Sequence, residues 1–251
     1  TMVKYCIENR VWVEIYEFLK TVKGLHSSNE WKLRRFLEAV FYITKSGSQW
    51  RMLPCHYGNW RTVHKRFKRW NEKEIWKNLM ENFIEADLEY VMIDSTIIRA
   101  NACAAGYEIK GNVQEALGRS KGGFTTKIHA LVDALGNPLK FILTVGQRND
   151  ITQAEKLTKG FTDTIIIGDK GYDSDRFVRV MKDQGNDVVI PPRSNRKYPR
   201  EYDEHLYEDR NLVERFFSKI KWYRRIASRF DKCAKTFLGF IYFVGALIWL
   251  K

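Results

Sequence analysis

Three acidic residues and a short run of polar partners carry the chemistry available to this sequence. Asp94 follows the apolar run VMI and Asp169 follows TIIIG, so each carboxylate emerges where a buried strand is expected to reach the edge of a sheet. The carboxyl ends of strands in open α/β sheets are where ligands collect. Taken singly, either residue is equally an ordinary strand-end or turn aspartate. The third acid, Glu214, lies in the stretch YEDRNLVERFFSKIK, where Tyr207, Arg210, Glu214 and Lys221 are offset by 0, 3, 7 and 14 positions. At about 100° per residue these offsets share a helical sector roughly 60° wide. Val213, Phe216, Phe217 and Ile220 fall to one side of that sector, so the apolar face can lie on a sheet while the polar stripe looks along its edge toward a ligand. The competing reading is a solvent-facing stripe in which Arg210 and Glu214 form a helical ion pair. Ser95 and His129 sit beside these segments and read as structural.

The elements that must position these residues divide near residue 88. Before it the chain reads as helices. Val11–Val22 carries Val11, Ile15, Phe18, Leu19 and Val22 at helical spacing, and Trp31–Thr44 carries Leu33, Phe36, Leu37, Val40 and Phe41. Asn29 is placed to cap the second helix, and Ser46 and Gly47 end it. After the irregular stretch SQWRMLPCHYGN, a basic amphipathic segment begins near Asn59, with Arg61, Lys65, Arg66, Lys68 and Arg69 beside a stripe of Val63, Phe67 and Trp70. Such a helix can lie along DNA or be a solvated face. The layout resembles a helix-turn-helix, with a connection longer than the usual short turn.

After Asp87 three segments, EYVMIDSTIIRAN, FTTKIHALVDA and PLKFILTVG, predict a meander of strands with a turn at Gly136 and Asn137. A helix from Ile151, the strand TIIIGDKG, a helix from Ser174 to Gln184 and the strand DVVIPP follow. A basic interval with Arg193, Arg196, Lys197 and Arg200 then leads to a long helix from about Glu208. The expected architecture is therefore a small all-helical domain over residues 1–86 and an α/β domain with a mixed sheet over 87–251.

Composition agrees with a folded protein that meets a polyanion. Of 251 residues 44% are hydrophobic, and 43 Lys and Arg against 30 Asp and Glu leave a formal charge of +13. A basic protein with no nucleic-acid role is the alternative. Cys6, Cys55, Cys103 and Cys233 have neither redox nor metal-knuckle spacing, and Cys55, His56 and His64 lack the paired spacing and fourth ligand of a zinc site. Lys4, Glu8, Arg10 and Glu14 interrupt the start, so this stretch is not expected to serve as the apolar core of a secretion signal. The apolar run Phe237–Leu250 is shorter than the roughly 20 residues of a membrane span, so it reads as a buried terminal helix and the expected compartment is the cytoplasm.

At Tyr207 through Lys221 the sequence resembles the DDE transposases of bacterial insertion sequences, in particular the insertion sequence four and five families. Their signature helix reads Tyr, two residues, Arg, three residues, Glu, six residues, Lys, and this chain matches it in type and spacing. MIDSTIIRAN around Asp94, KIHALVDALGNPL and IIGDKGYDSD around Asp169 look like the first two catalytic regions, and SQWRMLP with Trp60–Trp70 is similar to the helical region that precedes them.

The resemblance implies a ribonuclease H-like catalytic domain, with Asp94, Asp169 and Glu214 as catalytic residues that hold two Mg²⁺ ions, Mn²⁺ substituting. Two such ions assist in-line displacement at a phosphodiester, one activating the attacking oxygen and one stabilising the leaving oxygen. Carboxylates suit magnesium, which prefers hard oxygen ligands. By similarity Asp94 bridges both ions, Asp169 completes one and Glu214 the other. Tyr207, Arg210 and Lys221 are expected to face DNA, with Arg61, Lys65, Arg66, Arg69, Arg224 and Arg225 as further contacts. Arg229, Lys232 and Lys235 extend that basic surface. The implied function is cleavage and strand transfer of an insertion sequence, acting on double-stranded inverted repeats and target DNA as a homo-oligomer, a dimer on paired ends, with no membrane partner. Two alternatives remain: a metal-dependent nuclease of the same fold without strand transfer, and a transposase-derived DNA-binding protein.

Overall fold

The computed structural model describes residues 6–25, 29–104, 115–120 and 123–251, which leaves Lys4 outside them. In chain order come α1 (Asn9–Thr21), α2 (Glu30–Ser46), α3 (Trp60–Glu72), α4 (Ile75–Glu81), β1 (Tyr90–Ala100), β2 (Gly118–Ser120), β3 (Gly123–Val132) and β4 (Pro138–Val145). Then follow α5 (Ile151–Thr158), β5 (Ile165–Gly168), α6 (Asp175–Asp183), β6 (Asp187–Val189), α7 (Glu204–Glu208), α8 (Asn211–Lys221), α9 (Arg224–Ala227) and α10 (Ala234–Trp249). By packing, residues 1–84, 100–115 and 220–251 form one unit and residues 85–99 and 116–219 another. The sequence reading divides the chain at 86/87 instead. Residues 220–251 group with the first helices because α10 is apolar all round and needs burial on every side.

In the helical unit, α2 and α3 each start on a side-chain cap, whereas α1 starts at Glu8 without one. The Asn29 side chain accepts from the Lys32 N–H and that of Asn59 from the Arg61 N–H, satisfying donors that a helix start leaves free. The basic amphipathic segment is two helices, because Glu74 takes a left-handed conformation (φ 55°) between α3 and α4. An aromatic core joins α2, α3, α4 and α10. Phe67 stacks on Phe240 at 4.3 Å, Trp70 lies 4.8 Å from Trp76, and Phe36 meets Trp70 edge-on at 4.9 Å. Fully burying each such ring contributes about 1.5–3 kcal/mol. No helix among the described residues is long and apolar enough to cross a membrane.

In the α/β unit the strands run in the order β4-β3-β1-β5-β6, with β2 also on β3. β4, β3 and β1 are mutually antiparallel, as the meander predicts, while β1, β5 and β6 are parallel. This mixed sheet is the ribonuclease H-like arrangement. β2 was not anticipated, since three residues, GRS, show no apolar alternation. The β3–β4 turn is held by the Asp133 carboxylate, which accepts from the backbone N–H groups of Leu135 and Asn137. Gly136 turns there at φ 78°, and a Cβ on it would lie 3.2 Å from the Leu212 carbonyl oxygen in the first turn of α8. That helix presses Phe216 on Phe141 of β4, ring centroids 5.9 Å apart. Val213, Phe216, Phe217 and Ile220 are all buried, as the helical phase predicts.

Candidate active site

Val91, Met92 and Ile93 of β1 are fully buried, and Asp94 follows them in the middle of the sheet. Ile93 is in register with Gly168 of the parallel strand β5. Asp94 and Asp169 are thus the next residues on two neighbouring strands, which run about 4.8 Å apart in any sheet. The Asp169 carboxylate accepts from the Gly171 N–H at 2.8 Å and caps a short turn, Lys170–Tyr172. A Cβ on Gly171 would lie 2.8 Å from Asp169 Oδ1, so a larger residue there would have to displace that carboxylate.

Glu214 enters from α8, and Arg210 links it to the sheet. Arg210 Nη1 donates to Asp94 Oδ2 at 3.0 Å, while Nη2 donates to Glu214 Oε1. Asp94 of β1 and Glu214 of α8 therefore share one guanidinium. Among the described residues no three His, Cys, Asp or Glu side chains are gathered closely enough to hold a metal ion; the guanidinium occupies the cationic position between Asp94 and Glu214. The donor set nonetheless fits a hard divalent cation: carboxylate oxygens that share one positive charge across 116 and four residues of chain.

The single stripe on one long helix is corrected. α7 ends at Glu208 and α8 begins at Asn211, so Tyr207 and Arg210 precede the helix that carries Glu214. The bonds Arg210 N–H to Tyr207 O, Leu212 N–H to Asp209 O and Val213 N–H to Arg210 O span three residues and tighten the chain into a turn. Arg210 still stacks over the Tyr207 ring at 5.8 Å. Lys221, the last residue of α8, is exposed and belongs to the helical unit.

A network behind Asp94 escaped the sequence reading. The Ser95 N–H donates to Asp94 Oδ1 at 2.7 Å, and the Ser95 hydroxyl donates to Asp150 Oδ1 at 2.6 Å. Lys127 Nζ reaches the same carboxylate at 3.1 Å and donates to the Arg148 carbonyl at 2.8 Å. His129 is fully buried with Nε2 2.8 Å from Thr144 Oγ1, and burial pushes its pKa down to about 4, against the pull of Asp150. It is neutral at physiological pH, so its 3.5 Å approach to Asp150 is a contact and not an ion pair. The only advance signal for Asp150 was its place in GQRNDIT, at the start of a predicted helix. Burial pushes Asp94 up to about 6, with Asp169 and Asp150 adding to the rise and the Ser95 N–H and Arg210 opposing it. Tyr172, fully buried with no partner for its hydroxyl among the described residues, is raised by burial and by the charges of Asp150, Asp94 and Asp169.

Of the expected DNA contacts, Arg61, Lys65 and Arg224 are exposed and Arg66 and Arg69 are half-buried. Arg225 is corrected: it is buried, forms a two-pronged pair with Asp231 at 2.8 and 3.0 Å, and donates to the Ser48 carbonyl. Arg229 is likewise inside, spent on the carbonyls of Asp231 and Lys232. In the basic interval, Arg196 and Arg200 bind the Asp173 carboxylate, which ties that segment to the loop after Asp169.

Two family models match the chain: "Putative transposase of IS4/5 family" over residues 7–80 and "Transposase DDE domain" over residues 85–249. A protein of Brucella ovis named "Putative transposase for insertion sequence element IS6501" is 39% identical over 132 residues, 51% of this chain and 99% of its own length. One of Burkholderia cepacia, named for insertion sequence element IS402, is 30% identical over 128 residues, 46% of this chain and 58% of its own. Among solved structures, a piggyBac transposase synaptic complex with hairpin DNA has a TM-score of 0.38 at 14% identity, covering 77% of this chain and 50% of that one. With one model spanning the whole α/β unit and a relative matched along its full length, the chain belongs to the DDE transposases of insertion sequences, IS4/5 family, enzymes of the polynucleotidyl transferase and endonuclease class.

Proposed function

We propose that this protein cuts DNA at the ends of its own insertion sequence and joins the freed 3′ ends to a target, with Asp94, Asp169 and Glu214 as the catalytic acids. The observation that carries this reading is the Arg210 guanidinium shared by Asp94 and Glu214, beside an Asp169 one register step beyond Ile93 and Gly168. A DDE domain implies divalent-metal dependence, and two magnesium ions, or manganese in their place, held by the three acids would activate the attacking oxygen and stabilise the leaving one. The chain's own groups do the rest. Asp94 lies in β1 and Asp169 directly follows the neighbouring strand β5, which supports a separation set by the sheet more than by a loop. Arg210 offsets the charge of Asp94 and Glu214 and presents a planar fork suited to phosphate. Lys221, Arg61, Lys65, Arg69 and Arg224 contact the DNA backbone, Tyr207 stacks or hydrogen-bonds near the cut, and a dimer pairs two ends.

The test is a cleavage assay on a duplex carrying the inverted repeat that flanks the gene. Asp94→Asn, Asp169→Asn and Glu214→Gln should each abolish cleavage in Mg²⁺ or Mn²⁺ while the duplex still binds. Undiminished cleavage by any of them removes that residue from the site. Supplying a pre-cut 3′ end separates a transposase, which joins it to target DNA, from a nuclease, which does not.

A further inference from the structure

Away from the acidic site, the helical unit contains a cavity of about 290 Å³ whose walls include Trp31, Lys32, Arg35, Tyr57, Asn59 and Arg66. No Asp or Glu side chain lines it. Arg66 reaches it from α3 with its guanidinium 4.6 Å from the Phe36 ring and 5.6 Å from Trp70. Its Nε and Nη2 are closed off from solvent and have no hydrogen-bond partner among the described residues, and the same holds for Arg35 Nε. Arg225, Arg196 and Arg210 are each matched by a carboxylate, of Asp231, Asp173 and Asp94 in turn, and buried Arg229 by the carbonyls of Asp231 and Lys232. Burial pushes Arg66 down to about 10, and the neighbouring charge that acts on it, Arg69, pushes the same way. A guanidinium taken out of water without a counter-charge is costly unless a ligand supplies one.

We propose that this cavity binds a phosphate together with its nucleoside, as one nucleotide unit of DNA. Arg66 and Arg35 are only partly buried and line the cavity, so the guanidinium nitrogens left accessible take the phosphate oxygens in charge-assisted hydrogen bonds, while Arg35 Nη2 is held by the Cys55 carbonyl. Lys32 adds a third cation. The first turns of α2, through Trp31 and Lys32, and of α3, through Asn59, both border the cavity and bring their positive ends to it. The volume exceeds what a bare tetrahedral oxyanion fills. Trp31 accounts for the remainder, because it is 64% exposed and has Arg35 5.0 Å over its ring, leaving a platform on which a base can stack. This assignment rests on the DNA reading above but not on the catalytic role of the three acids.

The full-length protein is tested in EDTA at constant ionic strength. A 5′-phosphorylated trinucleotide should raise its melting temperature, inorganic phosphate should raise it less, and chloride should not. Trp31→Ala should weaken the trinucleotide about tenfold and leave inorganic phosphate unchanged, and Arg66→Gln should lose both. An end duplex should bind about tenfold more weakly to either variant. If Arg66→Gln does not fold, Lys32→Gln, altered at the exposed rim, replaces it and should weaken both ligands. The proposal is overturned if the trinucleotide stabilises the wild type no more than chloride, if the substitutions leave it bound, or if inorganic phosphate alone binds, which marks a free-anion site. The trinucleotide arm does not require duplex binding or cleavage, so its failure is separable from failure of the transposase reading.

Discussion

Replacing Asp94 by asparagine should stabilise the metal-free protein at neutral pH while abolishing its activity. The carboxyl of Asp94 titrates at about 6 instead of 3.8, first because it is buried and then because Asp169 and Asp150 lie close. The folded state thus holds this proton more tightly than the unfolded chain does. Its stabilising contribution is full below about pH 3.8, falls as pH rises toward 6 and is lost above it. A rise of about two units corresponds to ~3 kcal/mol carried as strain by the ionised side chain, at ~1.4 kcal/mol per unit. That figure is already net of the attraction to Arg210; asparagine, however, puts an NH₂ donor where one of the two carboxylate oxygens accepted from Ser95 N–H or Arg210, a mismatch of ~1–3 kcal/mol, so the net gain at pH 7.5 is ~1 kcal/mol. For a chain of this size that is a rise in melting temperature of roughly 2–4 °C. Melts of wild type and Asp94→Asn in EDTA at pH 4 and pH 7.5 should show the advantage at the higher pH alone. Adding Mg²⁺ at ten times its dissociation constant should then raise the wild type by ~1.4 kcal/mol and leave the variant behind. A variant no better at pH 7.5 than at pH 4 refutes the electrostatic reasoning.

Asp150→Asn removes the charge that holds the Ser95 hydroxyl and Lys127, and should raise the Mg²⁺ concentration needed for half-maximal cleavage by about 10–100-fold; an unchanged metal titration would confine Asp150 to a packing role. Gly239→Ala places a Cβ 1.8 Å from Asn71 Oδ1 in the contact between α10 and α3, and should cost ~1–3 kcal/mol in a denaturant melt. Lys221→Ala should weaken end binding and make its logarithmic salt dependence shallower by about one unit. An identical slope in a binding titration would mean that this amine does not touch phosphate.

What the sequence discloses here is what periodicity and spacing can encode. Asp94 and Asp169 are legible because runs of Val, Met and Ile precede them, and Val213, Phe216, Phe217 and Ile220 give the buried face of α8 directly. The turn between α7 and α8 is not legible, since Asp209 and Arg210 are compatible with a helix and the interruption comes from three-residue hydrogen bonds. Arg225 looks like another exposed cation until Asp231, six residues on, folds back onto it. Asp150 is hidden for a different reason: its partners, Ser95 and Lys127, lie 55 and 23 residues away, and only the pairing of β1 with β3 brings them together. The grouping of α10 with the first helices is likewise a matter of tertiary packing, since an apolar helix records that it is buried but not against what.

The contact of Gly136 with the Leu212 carbonyl works like a caliper. One jaw is the hairpin, indexed to Asp94 through the pairing of β1 with β3; the other is the opening turn of α8, two residues before Glu214. Any side chain at position 136 would have to adopt a backbone that L residues disfavour and would press on the Leu212 carbonyl. A gene copy can therefore keep all three acids, read as intact in every alignment of its motifs, and still encode a weaker protein because the spacing of sheet and helix has shifted.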